Sequence, residues 1–211
     1  MQSENSPKKS KTETFTDFLR KVFSIPINFF AKLFMKMGIH PNHLTVFGLI
    51  GTAVGAYFIA LGNLTLGGFI LLIMGPFDVL DGTLARMMEE KDPFGPMLDS
   101  VADRYIEIFI YGGLIIFYLM RENFLYVMLA FIALSGSMMV SYSRARAESL
   151  GIDVKVGIFT RVERFLIIVP SIFFNIPHIG LWILAIGSNF TAVRRILYTR
   201  KQLHNNNHGE R

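Results

Sequence analysis

Residues 78–103 read DVLDGTLARMMEEKDPFGPMLDSVAD: two pairs of aspartates, Asp78 with Asp81 and Asp99 with Asp103, set where two very apolar stretches meet a short polar loop. On a helix of 3.6 residues per turn the first pair projects about 60° apart and the second about 40° apart, so each pair shares one face. The loop between them makes the segment a helical hairpin, and if the two faces meet, four carboxylates come within reach of one or two hard cations. Acids at the ends of membrane helices lose hydration and repel one another unless cations or substrate compensate. A divalent metal is the natural counter-charge, Mg²⁺ or Mn²⁺ in a site suited to phosphate chemistry. Zinc is disfavoured without cysteine or suitably spaced histidine.

Working outward from this hairpin, the composition identifies lipid as the solvent. Of 211 residues, 52% are hydrophobic, including 20 Phe and 11 Met, and they fall in blocks. A helix needs roughly 20 residues to cross a hydrocarbon core of about 30 Å. Six stretches qualify, 44–61, 64–85, 99–120, 124–146, 161–175 and 178–198, the fifth being short. The expected fold is an all-α integral membrane protein with six transmembrane helices, an N-terminal interfacial amphipathic helix and both termini in the cytoplasm. Residues 1–14 read as a disordered tail without a signal-peptide pattern, 15–37 as the amphipathic juxtamembrane helix, 38–200 as the six-helix domain and 201–211 as a polar C-terminal tail.

Orientation follows from the basic residues, which are retained on the cytoplasmic side. With both termini inside, 20 of the 21 Lys and Arg lie in the cytoplasm or at its interface, and Arg121 alone lies outside. The aspartate loop then faces the cytoplasm, in a multi-pass protein of the plasma membrane. The net charge of +5 is explained by this topology and by anionic headgroups, so no nucleic-acid partner is expected. The absence of cysteine excludes disulfides, haem-thiolate and iron–sulfur chemistry.

Before the first span, Phe18, Leu19, Val22, Phe23, Ile25, Phe29, Phe30, Leu33 and Phe34 alternate with Arg20, Lys21, Lys32 and Lys36 at helical spacing. This fits a helix lying in the membrane interface, broken or kinked at Pro26; packing on the bundle would produce the same periodicity. Gly38 to Thr45 reads as a turn and helix start, with Asn42 as the expected N-cap.

Near the acids, Gly82 leaves room for a ligand, Arg86 can reach a phosphate, and Gly95 between Pro93 and Pro96 shapes the turn. Each residue also has a structural explanation: glycine for helix packing, Arg86 as a positive-inside anchor, Asp99 as a helix cap. Packing alone does not require four acids at one membrane depth.

The pattern Asp78-x2-Asp81-Gly82-x2-Ala85-Arg86-x8-Gly95-x3-Asp99-x3-Asp103 resembles the signature of the CDP-alcohol phosphatidyltransferases at all eight fixed positions. The resemblance implies that Asp78, Asp81 and Asp99 bind metal, two ions in all, and that Asp103 is both near the metal and the general base. It implies that Asp78, Gly82, Ala85, Arg86 and Gly95 contact the CDP-activated lipid, of diacylglycerol or archaeol type. A homodimer is also common in that family. The reaction implied is attack of a polar alcohol on the lipid-linked phosphorus, with release of CMP.

The acceptor is read from basic residues elsewhere. Arg146, Arg161, Arg164 and Arg195 could follow the positive-inside rule, or form a clamp for a phosphate on the alcohol, since guanidinium groups bind phosphate bidentately. Residues 141–151, SYSRARAESLG, and 157–169, GIFTRVERFLIIV, resemble the corresponding region of phosphatidylinositol phosphate and archaetidylinositol phosphate synthases. That resemblance implies inositol 1-phosphate as acceptor, surrounded by Arg144, Arg146, Arg161, Arg164 and Arg195. Arg144 stands where lysine is common, and Thr160 and Val162 replace a frequent glutamate and proline. Glycerol 3-phosphate, which would make the chain a phosphatidylglycerophosphate synthase, is the alternative acceptor; against it, Gly48 falls where that subgroup has arginine. A prenyltransferase would carry different aspartate clusters, and an ion- or proton-coupled transporter would spread its acids across the bilayer.

Overall fold

The computed structural model describes the backbone of residues 15–209 and the side chains of 25–205; the expected N-terminal tail lies outside the described residues. Seven helices follow one another: α1 Phe15–Lys36, α2 Pro41–Ala60, α3 Leu64–Met87, α4 Phe94–Leu119, α5 Phe124–Glu148, α6 Arg161–Phe173 and α7 Pro177–Gly209. Among the described residues, α2, α3 and α5 are long and apolar enough to cross a membrane by length and composition alone. The 13 residues of α6 reach only about 20 Å, short of a hydrocarbon core.

Helix α2 packs on both α3 and α4, α5 packs on α4 and α7, and α6 packs on α3 and α7. Their shared core holds Leu71, Leu114, Ala130, Ala133, Val169, Ile172, Leu181 and Leu184, all without exposed surface. Small residues bring the backbones together at the centre of this core. A Cβ on Gly113 of α4 would lie 2.6 Å from the Ala56 carbonyl of α2, so only glycine permits that crossing. Outward-facing Phe47, Tyr57, Phe69, Phe131, Ile186 and Phe190 are exposed, a surface suited to lipid and costly in water.

Several boundaries differ from the sequence expectation. The N-cap of α2 is His40, whose Nδ1 accepts from the Asn42 N–H at 3.3 Å, with Pro41 at the first helical position where no N–H is required. Pro26 leaves α1 continuous. That helix buries Ala31 and packs Ile27 and Phe34 against Leu44, Leu80 and Leu84, while Ile25, Phe29 and Leu33 remain exposed. One face of α1 thus packs on the bundle, and the other leaves apolar side chains exposed.

Helix α4 starts at Phe94, five residues before the expected start of its span, because Asp92 Oδ1 accepts the Phe94 N–H at 2.9 Å. Asp99 consequently sits inside the helix, away from its cap. Helix α7 runs on through the polar residues after 200 to Gly209.

Candidate active site

The turn after α3 folds back at Glu89, whose φ is +51°, with the Glu90 N–H donating to the Ala85 carbonyl. This closes the hairpin and sets the last turns of α3 against the first turns of α4. Asp78, Asp99 and Asp103 each offer a carboxylate oxygen within 4.8 Å of the others. Asp81 is not in this group. It is buried, and its Oδ2 accepts from Thr45 Oγ1 of α2 at 2.6 Å. The structure therefore assembles three of the four expected acids and turns the fourth to α2, within electrostatic reach of Asp78 and Asp99.

A hydroxyl in the first turn of α2 carried no sequence signal for this role. Thr45 is 36 positions from its partner, and nothing local distinguishes it from any helix-start threonine.

Three hard oxygen donors suit a divalent cation, and their unfilled valences point the same way. Asp99 Oδ1 is buried without a hydrogen-bond donor. Asp103 Oδ1 has ion-pair contact with Arg161 but no hydrogen bond of good geometry. Buried acceptors of this kind are ordinarily satisfied, and Mg²⁺ or Mn²⁺ would satisfy both.

The remaining signature residues leave space beside the acids. A Cβ on Gly82 would meet only the far end of Arg86, at 3.6 Å, and one on Gly95 only Asn42 Oδ1, at 3.4 Å. Ala85 is half-buried; Arg86 is exposed, with one guanidinium N–H donating to Thr83 Oγ1 at 3.0 Å.

The five arginines do not converge on one point. Arg161 reaches the acids: Nη1 lies 2.7 Å from Asp78 Oδ1 and Nη2 lies 2.6 Å from Asp103 Oδ1. Arg164, only 3% exposed, donates through Nη2 and Nε to Glu107 Oε1 at 2.5 and 3.0 Å, and through Nη1 to the Phe159 carbonyl at 3.1 Å. Arg195 is buried and donates to the carbonyls of Val156 and Val140 at 3.0 and 2.8 Å. Arg144 pairs with Glu148 at 2.8 Å on the surface, and Arg146 is exposed beside Ser149. Arg195 stands within electrostatic reach of Arg144 and Arg164, each of which is paired with a carboxylate.

Glu107 is a site residue the sequence reading missed. Its spacing was the available signal, since Asp99, Asp103 and Glu107 recur every four residues and share a face of α4. The backbones of α4 and α6 scarcely approach each other. Two charged rungs, Asp103 with Arg161 and Glu107 with Arg164, span that gap.

Comparison with known proteins gives this geometry its context. Residues 38–193 match the family model of the CDP-alcohol phosphatidyltransferases. The archaetidylinositol phosphate synthase of Pyrococcus horikoshii is 37% identical over 179 residues, covering 84% of this chain and 93% of that protein. The phosphatidylinositol phosphate synthase of Streptomyces avermitilis is 30% identical over 201 residues, covering 88% and 82%. Among solved structures, the Mycobacterium tuberculosis phosphatidylinositol phosphate synthase with CDP-DAG bound superposes with a TM-score of 0.75 at 28% identity, covering 82% of this chain and 92% of that one. The same enzyme in complex with manganese and citrate gives a TM-score of 0.75 and covers 82% and 88%. With three signature aspartates gathered at the α3–α4 hairpin and the family match running from just before α2 into α7, the chain belongs to the CDP-alcohol phosphatidyltransferases, enzymes that transfer substituted phosphate groups.

Proposed function

We propose that this enzyme transfers a phosphatidyl-type group from a CDP-activated lipid to inositol 1-phosphate, releasing CMP. The observation that carries the reading is the convergence of Asp78, Asp99 and Asp103 beside open space at Gly82 and Gly95. These three acids would hold Mg²⁺ or Mn²⁺, two ions by family likeness, while Asp81, fixed by Thr45, adds negative charge from the adjoining position. A divalent cation held by Asp78, Asp99 and Asp103 would supply charge neutralisation for the diphosphate and for the CMP leaving group.

Asp103 takes the proton from the attacking hydroxyl of the alcohol. The new bond joins that oxygen to the lipid-linked phosphorus, and the bond from this phosphorus to the bridging oxygen breaks, leaving a phosphodiester headgroup on the lipid and free CMP. Gly82, Ala85, Arg86 and Gly95, with Asp78, flank the cytidine diphosphate. Arg161, Arg144 and Arg146 receive the phosphate of the acceptor, and Arg164 and Arg195 hold positive potential behind it. The names of the two synthases above support inositol phosphate in particular.

In the membrane, we place six helices, α2 to α7, across the bilayer, the short α6 accommodated by local thinning of the lipid, with the acids at the cytoplasmic end of a plasma-membrane homodimer. The lipid then enters from the bilayer while alcohol and CMP exchange with the cytoplasm. Purified protein with Mg²⁺ and an ester- or ether-linked CDP-lipid tests the reading by CMP release. Release with inositol 1-phosphate is the expected result; release with glycerol 3-phosphate instead would replace the acceptor, and no release with any alcohol would overturn the reaction.

A further inference from the structure

The acid triad carries a cation of its own. One planar guanidinium, that of Arg161, bridges Asp78 and Asp103 through two different nitrogens, at 2.7 and 2.6 Å. Its neighbour one turn along α6 is held quite differently. Arg164 is 3% exposed and tied to Glu107 of α4 and the Phe159 carbonyl, so it has no freedom to leave. Arg161 is 32% exposed, and its polar contacts are those two acids. Its partly exposed side chain is a long flexible stem, free to take a new partner where Arg164 is not.

We infer that Arg161 is an exchangeable counter-ion, pairing with Asp78 and Asp103 in the idle site and transferring to the acceptor's phosphate when that arrives, so that acceptor and divalent cation bind with positive coupling. The inference rests on the reading of Arg161 as an acceptor-phosphate ligand. The guanidinium N–H donated to Asp78 Oδ1 occupies a lone pair a divalent cation would use, and the same positive charge beside Asp103 repels that cation. A phosphate offers the same guanidinium an equivalent bidentate partner of higher charge. Movement of Arg161 to that phosphate exposes Asp78 and Asp103 without leaving any charge unpaired. Linkage makes the effect reciprocal: whatever factor the phosphate compound adds to cation affinity, the cation adds to phosphate affinity.

The test is Mn²⁺ binding to the full chain in detergent without CDP-lipid, followed through the electron paramagnetic resonance signal of free Mn²⁺. Inositol 1-phosphate should tighten Mn²⁺ binding to the unaltered chain by about tenfold, within the usual range of such coupling. Arg161→Gln should bind Mn²⁺ more tightly than the unaltered chain and ignore the phosphate compound. Arg161→Lys keeps the charge but cannot bridge two carboxylates in one plane, so it should fall between the two; it carries the comparison if Arg161→Gln does not fold. Equal Mn²⁺ affinity in all three chains, insensitive to inositol 1-phosphate and glycerol 3-phosphate alike, would overturn the exchange while leaving the metal site standing. Failure of every chain to bind Mn²⁺ would overturn the metal reading itself, and a response to glycerol 3-phosphate alone would keep the exchange and replace the proposed acceptor.

Discussion

The acids come from residues 78–103 across one hairpin, whereas the five arginines come from α5, α6 and α7 between residues 144 and 195. Helix periodicity and a single turn are enough to gather Asp78, Asp99 and Asp103, because Asp99 and Asp103 share a face of α4 and the hairpin sets Asp78 of α3 beside them. The arginines look alike in sequence and end in different positions. A guanidinium has five N–H groups, and packing decides which acceptors they meet. For Arg164 and Arg195 these are a buried carboxylate and backbone carbonyls; for Arg161 they are the acids of the site. Local spacing thus assembles a cluster of acids, while only the assembled bundle assigns work to its bases.

The sharpest test of the acidic half is Asp103→Asn. The amide is nearly isosteric but cannot take a proton, so CMP release should fall by about 10²–10⁴-fold while CDP-lipid binding persists. Substantial turnover would remove Asp103 from the proton transfer and break the contrast at its strongest point.

The buried rung between the halves comes next. Glu107→Met leaves Arg164 charged and unpaired, and should cost about 3–5 kcal/mol, read as a lowered unfolding midpoint in detergent. Adding Arg164→Met should recover most of that loss, since replacing both ions with apolar groups removes the unpaired charge. A double variant no more stable than the single one would mean that Arg164 matters through contacts other than Glu107.

Thr45→Val probes the acid that packing diverted. Loss of a hydrogen bond to a buried carboxylate should lower stability by about 1.5–3 kcal/mol. An unchanged unfolding midpoint would show that Asp81 does not depend on α2 for its position.

The smallest stability effect belongs to Arg144→Gln. Arg144 and Glu148 are about half exposed, and such pairs contribute little, so the midpoint should move by less than about 0.5 kcal/mol equivalent. The acceptor KM should nevertheless rise severalfold with kcat largely kept. A large stability loss would place Arg144 with the structural arginines and erase part of the distinction.

What the amino-acid sequence determined here were the features governed by helical spacing and composition. The apolar blocks define the helices, the four-residue spacing of Asp99 and Asp103 defines a common face, and the polar loop from Met88 to Pro93 defines a hairpin. Helix starts were less legible, because His40 caps α2 where Asn42 was expected and α4 begins at Phe94 after Pro93, and such choices depend on backbone geometry. Three pairings were decided only by the tertiary structure: Thr45 with Asp81, Arg164 with Glu107 and Arg161 with Asp78, separated by 36, 57 and 83 positions. No periodicity links residues so far apart. Their meeting depends on which helix faces the bundle buries together, and on each buried charge taking whichever partner that burial leaves within reach.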